Sequence, residues 1–255
     1  MDAPILIAHR GYAKRYPENT LVALEAAFEA GADCVEFDVQ FTNDGVPVLL
    51  HDANLKRTTG TNKRIFSIDA EKLDTIVVNE AKKQPKKFSH VGIPSLASAI
   101  DLLQRWPQVR AFVEVKQESL DAYGIEKVVK AVAEICAPVI DRCVLISYDL
   151  LSLRCARAMG FEAIGWILKT YDDETLSQAT ELAPDYLFCN HTKLPDNIEA
   201  VWQGPWQWAF YEVTQAKTAS KLARLGADYV ETMAVAEMLG NKALRSRRCV
   251  DEQNL

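Results

Sequence analysis

His9-Arg10, Glu36-Phe37-Asp38-Val39-Gln40, His51-Asp52 and Glu114-Val115-Lys116 are the stretches whose residue types and spacing can do chemistry. Glu36, Asp38 and Glu114 are carboxylates with no thiolate among them. Such a set suits one hard divalent cation, Mg²⁺ or Ca²⁺. His9 and His51 can divide the work of base and acid near neutral pH. Arg10 and Lys116 bring positive charge for a phosphate. A hard cation, two imidazoles and two cationic side chains together suggest cleavage of a phosphodiester. The plain alternative is a solvated sheet face, because alternating acidic residues commonly mark one.

These residues need elements to hold them. Period two puts Glu36, Asp38 and Gln40 on one face of a strand, with Val35, Phe37, Val39 and Phe41 on the other. Asn43-Asp44-Gly45 is a hairpin signal, and 46–50 reads as the returning strand. With Asn43 and Asp44 at the turn centre, Phe41 faces Val46 and Glu36 faces His51. Directly opposed residues lie about 4.5–5.5 Å apart at Cβ. Upstream, 5–8 suits a buried strand that delivers His9-Arg10-Gly11 to a loop. Asn19 or Thr20 caps a helix with Leu21, Leu24, Ala27 and Phe28 on its apolar stripe, and Gly31 ends it. That strand-helix-strand unit predicts parallel pairing.

Residues 40–94 break the rhythm and read as an insertion on the loop side. It holds a short helical stretch near 68–73 and a solvated lysine-rich patch at 82–87. Its apolar content looks too low for a core of its own. Beyond it, strands are expected at 111–116, 144–148, 163–169, 185–190, 207–213 and 228–232. Helices are expected at 96–106, 121–136, 150–159, 172–182, 197–201 and 215–225, with a terminal one to about 243. The tail from Arg245 looks loosely held. Eight strand-helix pairs predict an α/β fold, a (β/α)₈ TIM barrel forming one domain over 1–255. A doubly wound open sheet is the alternative, but His9-Arg10-Gly11-Tyr12 is not its glycine-rich phosphate turn. In a barrel, active sites lie at the carboxyl ends of the strands. His9, Glu36, Asp38, Glu114 and Lys116 fall at or near such ends, and the hairpin returns His51 to them.

A length of 255 residues suits one such barrel, and 49% apolar with 25% charged residues suits a soluble globule. The net charge of −6 argues against a nucleic-acid surface. The cysteines show no metal-type spacing and read as free thiols, mostly buried. There is no basic N-terminal flank and no apolar run long enough to span a bilayer. A cytoplasmic protein without membrane insertion is expected, with self-association left open. His90 reads as a surface residue of the insertion. His191 follows the sixth barrel strand beside Asn190 and Lys193, and contact with a substrate is the less favoured of its two readings. Trp202, Trp206 and Trp208 read as packing between barrel and helices.

His9-Arg10-Gly11, Pro17-Glu18-Asn19-Thr20, Glu36 to Gln40, Asp44-Gly45, His51-Asp52, Arg57-Thr58-Thr59-Gly60, Ile93-Pro94-Ser95-Leu96 and Glu114-Val115-Lys116 occur in this order. That series resembles the glycerophosphodiester phosphodiesterase family. The resemblance covers nearly the whole chain and is densest before residue 120. It implies divalent-metal-dependent hydrolysis of glycerophosphodiesters to glycerol 3-phosphate and an alcohol, within glycerol and lipid metabolism. By the family pattern, Glu36, Asp38 and Glu114 match the metal ligands. His9 matches the base, His51 the acid, and Arg10 and Lys116 the phosphate contacts. The chain departs from the family after the seventh barrel strand, where Tyr211-Glu212-Val213-Thr214 stands in place of Trp-Thr-Val-Asn. It departs again after the eighth, where Thr232-Met233-Ala234-Val235 stands in place of Thr-Asp-x-Pro. Those ends shape the pocket, so substrate preference is the property they touch. Glu212 would add a negative charge suited to a cationic head group, or face solvent at the rim. Two other readings are a lysophospholipase D acting on longer lipids and a non-catalytic phosphate-binding barrel.

Overall fold

Eight parallel strands close on themselves in the computed structural model, which describes residues 3–78 and 88–244. The lysine-rich patch at 82–87, Cys249 and the tail from Arg245 lie outside the described residues. The strands are β1 (Ile5–His9), β2 (Cys34–Phe41), β3 (Pro47–Leu49), β4 (Arg110–Val115), β5 (Cys143–Ser147), β6 (Ala163–Ile167), β7 (Tyr186–Asn190), β8 (Gln207–Tyr211) and β9 (Tyr229–Thr232). Around the barrel they run β1-β2-β4-β5-β6-β7-β8-β9, and β9 pairs back with β1. Only β3 is antiparallel, hung on the end of β2.

The helices are α1 (Leu21–Glu29), α2 (Lys56–Thr59), α3 (Leu96–Gln104), α4 (Gln117–Tyr123), α5 (Ile125–Cys136), α6 (Leu150–Ala158), α7 (Asp173–Leu182), α8 (Ala216–Leu225) and α9 (Val235–Leu239). Thr20 caps α1 by accepting from the Ala23 amide, a contact worth about 1 kcal/mol. The long helix expected over 121–136 is instead α4 and α5. Gly124, at φ 84° and ψ 144°, lies outside the helical region and divides them.

The helix expected at 197–201 is absent. Pro195 and Asn197 favour turns, and the Ile198 amide closes one on the Pro195 carbonyl. The chain then crosses to β8 carrying Trp202, which stacks on Tyr171 at 3.8 Å and accepts from Trp208 Nε1 through its carbonyl. Aromatic packing therefore replaces helical periodicity here.

Two apolar layers result from the period-two pattern of the strands. Outward residues such as Val35, Phe37, Val39 and Phe41 pack beneath the helices. Inward residues including Ile7, Phe112, Phe188 and Tyr229 fill the barrel, with Phe112 in edge contact with Tyr186 and Phe188 at 5.1 and 5.3 Å. That plug closes the lower barrel, so a cavity can open only at the carboxyl end of the strands.

The hairpin register differs by one residue from the expectation. Phe41 pairs with Pro47 and Val39 with Leu49, so Phe41 does not face Val46 and Glu36 does not face His51. The loop has three residues rather than two. The Thr42 amide bonds the Val46 carbonyl, the Gly45 amide bonds the Thr42 carbonyl, and Gly45 sits at φ 82°. This is a turn closed by a left-handed glycine, and it takes one more residue than the two-residue turn.

The segment at 40–94 also has a core, contrary to the expectation. Val48, Leu50, Leu55, Ile65, Ile68, Leu73, Val78 and Ile93 form an apolar cluster separate from the barrel layers. Its apolar residues are thinly spread along the chain but converge in space.

Candidate active site

His9 is the last residue of β1, and Glu36 lies beside it in register on β2. Asp38 lies further along the same face of β2, opposite Glu114 on β4. Lys116 follows β4, and its Nζ donates to Asp38 Oδ1 at 3.2 Å and Glu114 Oε1 at 2.6 Å. His51 stands beyond β3, where the Leu50 amide bonds the Asp38 carbonyl. So the imidazole does reach the carboxylates, by a different pairing from the one expected. One cavity of about 270 Å³ is lined by His9, Arg10, His51, Glu114, Lys116, Glu212 and Glu231 among others. Glu36 and Asp38 are buried beside it, each ion-paired with a lining residue: Glu36 with His9 and Asp38 with Lys116.

The first loop is shaped by its backbone. Arg10 and Asn19 both have positive φ, 55° and 54°, which costs a side-chain-bearing residue about 1–2 kcal/mol. A Cβ on Gly11 would stand 2.5 Å from the Ala23 backbone, so only glycine lets this loop close onto α1. The result places Asn19 against Asp38. Its Nδ2 donates to Asp38 Oδ2 at 2.8 Å, and its Oδ1 accepts from the Asp38 amide at 3.1 Å.

Charges alternate across the site. His51 Nδ1 lies 2.6 Å from Asp52 Oδ1. Arg57 Nε donates to Asp52 Oδ2 at 2.5 Å, and its two terminal nitrogens grip both oxygens of Glu18 at 2.7 and 2.8 Å. Glu18 Oε1 also accepts from Arg10 Nη1 at 2.9 Å, and Arg10 Nε lies 3.2 Å from Asp38 Oδ2. A continuous chain of opposite charges thus joins the His51 dyad to the carboxylate group.

The electrostatics follow from burial and these neighbours. Burial, with the Arg10 charge adding to it, pushes His9 down to about 3, so its imidazole is neutral at pH 7. Burial raises Asp38, but Lys116 and Arg10 more than offset it and hold this carboxylate well below its usual range. Burial and the neighbouring Asp38 and Glu231 charges push Glu36 up. Burial also raises Glu114, against the opposing pull of Lys116. Glu231, on β9, is pushed up to about 8 by burial and by Glu114.

The donor set fits a divalent cation on two grounds. Oxygens of Glu36, Asp38 and Glu114 lie within 4.8 Å of one another. Glu36 Oε1 is buried with no hydrogen-bond partner, although its carboxyl crowds other carboxyls. A second set, His9 with Glu36 and Glu231, overlaps the first at Glu36. All-oxygen donors suit Mg²⁺ or Ca²⁺.

Glu231, Glu18 and Arg57 carry contacts here to which the residue types alone assigned no role. For Glu231 a signal existed: alternation along 228–232 puts it on the same face as Tyr229, which is the barrel interior. Arg57 and Glu18 are 39 residues apart, and nothing local links them. His191 does not line the cavity, and His90 is exposed.

The profile of the glycerophosphoryl diester phosphodiesterase family matches residues 9–186. The uncharacterised Bacillus subtilis protein YqiK is 35% identical over 158 residues, 60% of this chain and 61% of that one. A glycerophosphodiester phosphodiesterase of Caldanaerobacter subterraneus is 35% identical over 159 residues, 61% of this chain and 62% of that one. The match thus spans about three fifths of the length of these curated relatives. An Oleispira antarctica phosphodiesterase solved with sn-glycerol-3-phosphate superposes with a TM-score of 0.83 at 24% identity, over 96% of this chain and 98% of that one. A Thermotoga maritima glycerophosphodiester phosphodiesterase superposes with a TM-score of 0.72 at 22% identity, over 94% and 99%. At such identities the superpositions speak to the barrel alone. The profile runs from the His9 end of β1 to the first residue of β7 and takes in the whole His9, Glu36, Asp38, His51, Glu114 group. The chain belongs to the glycerophosphoryl diester phosphodiesterase family.

Proposed function

We propose that the chain is a divalent-cation-dependent hydrolase cleaving glycerophosphodiesters to glycerol 3-phosphate and an alcohol. The carrying observation is the convergence of Glu36, Asp38 and Glu114 within 4.8 Å, beside a cavity lined by both His9 and His51. Family membership supplies the substrate class. Glu36, Asp38 and Glu114 would hold the cation, which supplies positive charge against the phosphate and acidifies a hydroxyl beside it. Arg10 and Lys116 add positive charge at the same mouth and orient the phosphate. His9 lines the cavity at the end of β1, where its imidazole can take the proton of a substrate hydroxyl. His51 has Nδ1 engaged by Asp52, which leaves Nε2 to exchange a proton with the departing alcohol.

A glycerol diester carries its own nucleophile, the hydroxyl next to the esterified carbon. Attack from within the substrate avoids much of the entropic cost of bringing in water. His9 takes the proton of that hydroxyl, the bond from phosphorus to the alcohol oxygen breaks, and His51 protonates that oxygen. Water then opens the cyclic phosphate with the two histidines exchanging roles. The test is a substrate whose neighbouring hydroxyl is replaced by hydrogen. It should bind yet lose nearly all turnover. Brisk hydrolysis of the deoxy compound would leave water as the nucleophile.

A lysophospholipase D reading would need an apolar groove leading into the mouth. The insertion does line a cavity of about 410 Å³ with Val46, Val48, Leu73 and Ile93, against Leu21 of α1. It shares no lining residue with the reaction cavity, which favours short glycerophosphodiesters.

A further inference from the structure

The wall of the cavity facing the carboxylate group is built by residues that the reaction above does not use. In the closed strand order, β7 lies diametrically opposite β2, and β8 opposite β4. Asn190 ends β7, and Glu212 follows β8. Both line the reaction cavity, as do Tyr211 and Tyr148, whose hydroxyls are 3.1 Å apart.

Glu212 is held in place there. Asn190 Nδ2 donates to Glu212 Oε2 at 2.7 Å. The amide side chain is fixed in turn, because Asn190 Oδ1 accepts from the Thr192 amide and hydroxyl at 3.0 and 2.7 Å. Glu212 has φ 63°, a strained value for a residue with a Cβ. Of the positive-φ non-glycine residues described, Arg10 and Glu212 line the cavity, Asn19 braces Asp38, and Ala183 is a helix cap.

The carboxylate is also left without a cation. Arg10 and Lys116 are engaged by Glu18, Asp38 and Glu114. Lys193, the other cation of this wall, donates to the Leu168 carbonyl at 3.3 Å. Among the described residues, no lysine or arginine lies within ion-pair distance of Glu212.

We infer that Glu212, fixed by Asn190 and flanked by Tyr211 and Tyr148, forms a subsite for a cationic amine on the leaving alcohol, so that the enzyme prefers diesters with ammonium head groups. This rests on the phosphodiesterase reading. If glycerol and phosphate occupy the β2–β4 side, the second ester must project across the mouth toward β7 and β8. A positive head group there meets an unpaired carboxylate and aromatic faces. Glu212 is exposed, so solvent screens the attraction and the preference is modest, roughly three- to tenfold in kcat/KM.

The experiment measures kcat/KM of the full chain with Mg²⁺ for glycerophosphocholine and glycerophosphoethanolamine, which have cationic head groups, against glycerophosphoglycerol and glycerophosphoinositol, whose head groups are uncharged. The wild type should favour the cationic pair. Glu212→Gln should bring the ratio close to one, and Glu212→Lys should invert it. Because the ratio is taken within one protein, partial misfolding cancels from it. A second measurement needs only the wild type: its ratio should shrink as salt rises to roughly 0.5 M, since an exposed ion pair is screened. Equal rates on diesters with cationic and with uncharged head groups, a ratio unchanged in Glu212→Gln, or a ratio flat in salt would each overturn the inference while leaving the phosphodiesterase reading standing. No turnover of any of the four compounds with any of Mg²⁺, Mn²⁺ or Ca²⁺ would remove both.

Discussion

His51 depends on side chains it never touches. Its Nδ1 is held by Asp52, and Asp52 is held by Arg57, which spans to Glu18. An arginine can serve both carboxylates at once because its planar fork presents donors in fixed directions; a lysine offers one point contact. Arg57→Lys should therefore loosen Asp52 and misorient His51, costing about 10–100-fold in kcat, the usual scale for outer partners of functional residues. Its melting temperature should hardly move, because Arg57 is about half exposed and screened. The deficit should be smaller with a nitrophenol leaving group, which needs little protonation. His51→Ala should show the same dependence more strongly, losing on the order of 10²–10⁴ with an ordinary alcohol. Equal losses for both leaving groups would show that neither residue serves proton delivery. The placement of Glu36, Asp38, Glu114 and His9 at neighbouring strand ends was legible because strand periodicity names their faces, while His51 arrives by a hairpin register that periodicity did not give. Arg57 was legible only as part of a motif. Its partner comes from another loop, and no periodicity reports such a pairing.

The β2–β3 hairpin sets where His51 emerges, and its turn was the least legible element of the site. Asn43-Asp44-Gly45 announces a hairpin but suits loops of two or three residues, and the register follows from which one forms. Gly45 decides it by taking φ 82°. A Cβ at this position would meet nothing within 4 Å, so the penalty for substitution is backbone strain rather than collision. Gly45→Ala should cost about 1–2 kcal/mol, and Gly45→Asn should cost less, since asparagine tolerates left-handed backbone. The measurement is denaturant unfolding of both variants. Equal losses in the two would mean the strain argument is wrong. The missing helix before β8 has a related cause. Its composition allowed a short helix, but the stacking of Trp202 on Tyr171 is a tertiary contact that local propensity does not contain.

The molecule is apolar through the lower barrel and densely charged at its mouth, and the two halves pull stability in opposite directions. Barrel closure was legible in the alternating strand and helix rhythm, because each strand must bury both faces. The balance at the mouth was not, since it depends on Glu231 joining Glu36, Asp38 and Glu114 in space. Arg10 and Lys116 are shared among these carboxylates and Glu18, so they do not neutralise the whole group in its ionised form. Burial and mutual repulsion raise Glu36, Glu114 and Glu231 together. A divalent cation should relieve this and stabilise the fold. At a concentration about 100-fold above its Kd, a ligand of the native state adds about 2.7 kcal/mol. For a chain of this size that raises the melting temperature by about 5–10 °C. Addition of Mg²⁺ or Ca²⁺ to chelator-treated protein should produce that rise in a thermal scan, and chelator should reverse it. Glu36→Gln and Glu114→Gln should both lose most of the rise. In the absence of metal they should melt no lower than wild type, because each replaces a buried carboxyl whose ionised form is already disfavoured there. Glu231→Gln separates the two overlapping ligand sets. It should keep the rise if the cation sits among Glu36, Asp38 and Glu114, and lose it if the cation sits with His9 and Glu36. A rise of wild-type size in both Glu36→Gln and Glu114→Gln would place the stabilising cation elsewhere on the molecule.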